Sequence, residues 1–146
     1  REFAYRLLKT GIRPVYNPQA VGYQLYDKDF HTYCHNYFWV GRGEVKLVKK
    51  YPELWLSTRL SGYYSTSSIR MIMRQASLRY PRSMGNIMTM MRHLMESARK
   101  LHGKGAVLTR LQSFVRDYYY WLGVKEEMGS TREFLSFVEK RSWVSN

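Results

Sequence analysis

Apolar residues in the second half of the chain recur at helical spacing. Met84, Ile87, Met88, Met91, Leu94, Met95, Ala98 and Leu101 follow an unbroken i, i+3, i+4, i+7 pattern, which predicts a helix over 83–102 with one oily face. Ile69, Ile72, Met73 and Ala76 predict a shorter helix before it, capped by Ser67 or Ser68 and ended by Pro81. Val107, Leu108, Leu111, Val115, Tyr118, Tyr119 and Leu122 predict a third over 106–122, with Gly103-Lys104-Gly105 as the break before it and Gly123 as punctuation after it. Ser130 and Glu133 stand at capping-box spacing before a last helix carrying Phe134, Leu135, Val138 and Trp143.

The first half is patterned differently. Residues 1–10 have room for two helical turns, stopped by Gly11 and Pro14. Over 11–22, Pro14, Asn17 and Pro18 break any period and leave Tyr16 and Val21 as isolated apolar anchors. Such a segment builds no core of its own, so it is either a flexible tail or an arm ordered by lying on something else. Residues 23–43 are crowded with Tyr23, Tyr26, Phe30, Tyr33, Tyr37, Phe38 and Trp39. Alternation over 33–40, closed by Gly41-Arg42-Gly43 as a turn, predicts a strand there. Residues 44–51 read as a short helix or strand ended by Pro52. The expected fold is therefore mainly α: an extended N-terminal arm (1–22) and a single domain (23–146). That domain is a small bundle or array of three to four helices with a possible short β-hairpin.

Charge changes what this fold is expected to do. The chain has 146 residues, 24 basic and 11 acidic, for a formal net charge of +13. The excess is concentrated: residues 65–125 hold eleven basic residues against only Glu96 and Asp117, while 126–146 hold three against four. A hydrophobic content of 45% is too high for a disordered polycation. No uninterrupted apolar stretch is long enough for a membrane span. An ordinary solvated face mixes signs, so an imbalance this local calls for an anionic partner: RNA, DNA, anionic lipid or acidic protein. Eight of the eleven basic residues are arginines, whose planar fork suits phosphate and stacks on bases. The candidate RNA-binding residues are Arg70, Arg74, Arg79, Arg82, Arg92, Arg99, Lys100, Lys104, Arg110 and Arg116. Lys46, Lys49 and Lys50 form a further basic cluster, and the 13 tyrosines offer stacking on unpaired bases.

Other chemistries find less support. His31, Cys34 and His35 could offer three metal ligands, but the paired knuckles of a structural zinc site are missing, and a buried thiol among aromatics is the plainer reading. No nucleophile elbow, zinc-protease helix or paired-carboxylate motif occurs, so no enzyme, cofactor or small-molecule substrate is expected. Glu96 with Lys100, and Asp117 with Arg116, read as surface ion pairs. The two Gly-x-Gly breaks do not match a phosphate-binding P-loop. The single cysteine excludes an internal disulfide and fits a reducing compartment.

Tyr5-Arg6-Leu7-Leu8-Lys9 resembles the core of the LYR motif of small basic mitochondrial helical proteins. Ala4 stands where that family has Leu, Gly11 and Pro14 end a helix the family continues, and the likeness covers five residues. A first residue of Arg rather than Met fits removal of an Arg-rich transit peptide, and equally a trimmed chain. The expected function is architectural. The chain would be a structural subunit of an organellar ribosome in the mitochondrial matrix. It would contact rRNA phosphates through basic helices, and neighbouring proteins through the aromatic segment and the arm. The alternative is a non-catalytic accessory subunit of a mitochondrial membrane complex, a respiratory complex or the ATP synthase, lying against anionic lipid.

Overall fold

The computed structural model describes residues 2–13, 15–23, 29–102 and 105–142; for 99–102 and 141–142 it describes the backbone and not the side chains. The architecture is mainly α. Helices α1 (Glu2–Lys9) and α2 (Phe30–Lys50) are followed by two short 3-10 turns, Pro52–Ser57 and Arg59–Gly62. Then come α3 (Ser68–Arg79), α4 (Pro81–His102), α5 (Ala106–Met128) and α6 (Thr131–Ser142).

Helix α5 is the hub. Its buried residues, Val115, Tyr118, Tyr120, Trp121, Gly123, Val124 and Met128, face several directions, as a helix surrounded by others requires. Helices α2 and α3 run alongside it in its own direction, with Tyr33 near Arg116 and Phe38 against Gly123 on α2, and Arg70 near Ser113 and Arg74 near Asp117 on α3. The chain reverses at Pro81, and α4 returns antiparallel to α5, with the Tyr118 hydroxyl donating to the Pro81 carbonyl at 3.2 Å. Two cores result. One gathers Val45, Val48, Trp55, Leu60, Tyr63, Leu78, Tyr120, Trp121, Val124, Phe134 and Val138. The other is built from Cys34, Met88, Met95, Val115 and Tyr118.

The strand expected over 33–40 is a helix, and Gly41-Arg42-Gly43 is not a turn. Asp29 caps α2 by accepting the Thr32 N–H at 2.7 Å. Cys34, Gly41, Val45 and Val48 lie seven, four and three residues apart and are all buried, which is helical spacing. The glycines that read as breakers let two backbones touch. A Cβ at Gly41 would stand 2.2 Å from the Tyr120 carbonyl oxygen, and one at Gly123 2.0 Å from the Phe38 carbonyl oxygen. Glycine at these two positions brings α2 and α5 closer than any side chain allows, and α5 continues past Gly123 to Met128.

The inward face of α3 also differs from expectation. Ile69 and Ile72 are exposed, while Ser77 and Leu78 are buried and Met71 and Met73 pack against the two cores. Arg74 lies on this inward face, turned toward Asp117 and Trp121 of α5. On α4 the buried stripe narrows to Met88 and Met95, supported by Met84 and Met91; Ile87, Met90 and Leu94 stay exposed. The expected positions of Leu101 and Trp143 fall on side chains outside the description. Ser130 caps α6 as its spacing implies, accepting the Glu133 N–H at 3.1 Å.

Candidate nucleic-acid interface

The arginines of 65–125 divide by what they touch. Arg74 is a structural residue: Nε donates to Asp117 at 3.1 Å and Nη1 to the carbonyls of Gly62 and Tyr63 at 2.9 and 2.8 Å. Its guanidinium carbon lies 4.8 Å from the Trp121 ring centroid. Asp117 therefore pairs with Arg74 across the α3–α5 seam, not with its neighbour Arg116. Arg70 donates to Ser113 at 3.1 Å and stacks on Phe114.

Arg116 joins a cluster that its sequence position does not reveal. Its guanidinium and that of Arg59 lie 5.1 and 4.9 Å from the Tyr37 ring centroid. The Tyr33 and Tyr37 hydroxyls are 3.3 Å apart, and Arg116 Nη1 reaches Tyr33 Oη at 3.5 Å. The bond to Tyr33, with help from Arg116 and Arg59, holds the Tyr37 hydroxyl below the usual phenol range; the same bond pushes Tyr33 upward.

Arg79, Arg82 and Arg110 are exposed, Arg79 with its guanidinium over Tyr80. Arg92 is half-buried, with its Nε sealed from solvent and without a hydrogen-bond partner among the described residues. Lys104 lies outside the described residues, and the side chains of Arg99 and Lys100 likewise; the expected Glu96–Lys100 pair falls there too. Glu96 lies 3.9 Å from His93 instead. Among the described residues the ion pair Arg74–Asp117 is the one carboxylate contact that the candidate arginines make.

The lysine cluster behaves differently. Lys46 and Arg42 meet Glu127 at 3.7 and 3.0 Å, Lys50 meets Glu2 at 2.8 Å, and Lys49 donates to the Glu127 carbonyl. Lys9 and the Tyr5 hydroxyl both reach Glu53, which pins α1 to the first 3-10 turn. Glu44, buried, accepts from the Tyr120 hydroxyl at 2.7 Å and the Arg59 N–H at 2.9 Å. Carboxylates thus answer cations where α1, the C-terminal half of α2 and the end of α5 meet, and are sparse along α4 and the first half of α5.

The His-x-x-Cys-His triplet is split by the helix. Cys34 is sealed in the core, where burial pushes its thiol up to about 11. His31 and His35 are exposed on another flank, their rings stacked at 6.3 Å. Among the described residues no three His, Cys, Asp or Glu side chains cluster as metal ligands. Reading the sequence missed two residues of this surface, Arg42 and Arg59. Arg42 lies over Phe38 and Trp39, four and three residues before it, a spacing with meaning only once 30–50 is a helix. Comparison of the chain with family models, curated proteins and solved structures finds no match.

Proposed function

We propose that the chain is a non-catalytic structural subunit of a mitochondrial ribosome that holds rRNA by its phosphates. One observation carries this reading: Asp117, one of the two carboxylates of 65–125, is consumed by Arg74. Arg79, Arg82, Arg92, Arg110 and Arg116 are left without a carboxylate partner among the described residues. Phosphate contacts of this kind release counterions and give affinity without base preference. The assignment to mitochondria draws on the five-residue LYR-like resemblance of Tyr5–Lys9, and the basic charge supports the polyanionic partner.

Exposed Phe3, Leu8, Val15, Tyr16 and Tyr23 support a protein neighbour for the N-terminal segment. They suit the ribosome and also the second reading, an accessory subunit of a mitochondrial membrane complex. Among the described residues no helix is long and apolar enough to cross a membrane. Affinity-tagged protein recovered from mitochondria lysed in mild detergent separates the two readings. Enrichment of rRNA, lost on ribonuclease treatment, supports the first; enrichment of membrane-complex subunits without rRNA refutes it.

A further inference from the structure

We propose that the exposed flank of α2 is a stacking platform for unpaired RNA bases. The proposal rests on the RNA-binding reading above and adds what part of the RNA is held and by which side chains. His31, His35, Phe38, Trp39, Arg42 and Lys46 fall along one flank of the helix, away from the buried line of Cys34, Gly41, Val45 and Val48. Their rings form a continuous chain. His31 and His35 stack at 6.3 Å, and His35 and Phe38 at 5.6 Å. Trp39 meets His35 edge-on at 6.1 Å and Phe38 at 5.4 Å. The Arg42 guanidinium carbon ends the row, 5.1 Å from the Trp39 centroid and 5.9 Å from that of Phe38. Glu127 holds Arg42 there through Nε.

Two properties of this row select its occupant. Trp39 is 55% exposed, and the flank contains no aliphatic side chain, which an apolar protein-docking face would carry. What it offers instead is a row of planar rings, the surface that grips single-stranded nucleic acid through base faces, with Arg42 and Lys46 at its end both tied to Glu127. From His31 to Trp39 the helix rises about 12 Å, room for two or three stacked bases. Duplex bases are already stacked on one another and gain nothing from such a row, so the platform favours unpaired RNA over duplex.

The test uses the full chain, with fluorescence anisotropy of a short labelled oligouridylate and of an RNA duplex of equal length. Trp39→Ala should weaken oligouridylate binding by roughly 5- to 150-fold, the worth of one base stack. Duplex affinity should stay unchanged, Trp39→Phe should restore most of the loss, and His35→Ala should reproduce it in part. Circular dichroism should show the same helicity in all variants. Unchanged oligouridylate affinity in both alanine variants overturns the platform, as it would if the flank served a protein. An equal loss for oligouridylate and duplex also overturns it. Wild-type protein that binds both RNAs while the variants change nothing refutes the platform and leaves phosphate binding standing; wild-type protein that binds neither refutes both.

Discussion

Placing a methyl group at the α2–α5 crossing should separate the two helices. At Gly123 the new Cβ would stand 2.0 Å from the Phe38 carbonyl oxygen and 2.8 Å from its carbon; at Gly41 it would stand 2.2 Å from the Tyr120 carbonyl oxygen. A relaxed carbon–oxygen contact is about 3.3 Å, so the helices must part by more than ~1 Å. No rotamer change relieves a clash with backbone, and a gap of ~1 Å forfeits up to half the dispersion energy along the seam. Overpacking of this kind costs about 1–3 kcal/mol, and a backbone obstacle places it near 3. The better helix propensity of alanine returns about 1 kcal/mol. The net prediction is a loss of about 2 kcal/mol for Gly123→Ala or Gly41→Ala, a fall in Tm of roughly 4–8 °C. Gly43 supplies the control: it lies on the same helix with nothing within 4 Å of an added Cβ. Gly43→Ala should therefore raise stability by about 0.5–1 kcal/mol. Urea unfolding followed by circular dichroism measures all three. A neutral or stabilising Gly41→Ala, matching Gly43→Ala, would refute the close crossing.

Three further outcomes follow from the same contacts. Arg74→Ala strands Asp117 and the carbonyls of Gly62 and Tyr63, so it should cost about 3 kcal/mol in urea unfolding while leaving RNA affinity within about twofold. Cys34 should resist iodoacetamide at pH 8 in the folded protein and react only as the chain unfolds. Its folded thiol is raised from 9.0 to about 11, so its contribution to stability is complete below pH 9 and is lost as pH rises toward 11. The wild type should therefore lose about 2 kcal/mol more than Cys34→Ala across that window, a difference that includes the small upward push Cys34 gives Tyr119. Arg82→Glu and Arg110→Glu sit on exposed side chains and should lower RNA affinity without moving Tm, each flattening the log–log salt slope by about 1 if it contacts a phosphate.

The helices of the second half were legible because their apolar spacing is long and two of their boundaries carry plain signals: Pro81 ends α3 and starts α4, and Ser130 caps α6. Helix α2 was hidden for a physical reason. Its two glycines and dense aromatics carry the signature of a strand and turn, and only the partner helix, which the local sequence does not show, gives Gly41 its role. The same holds for Gly123. On the surface, sequence alone located the cationic stretch but could not rank its arginines. Arg74 looks like Arg70 or Arg79 until the fold brings Asp117, Trp121 and two carbonyls around it. Arg59 and Arg116 are 57 positions apart in the chain and become neighbours only through Tyr37.

The proposed grip of the cationic surface on phosphate is tested most directly by the dependence of RNA affinity on salt. Anisotropy titrations of the full chain with an rRNA fragment, repeated across a range of potassium concentrations, give the slope of log affinity against log salt. A straight fall with a slope of about −3 or steeper, equivalent to about four or more neutralised phosphates, is the predicted result. A flat line contradicts the account.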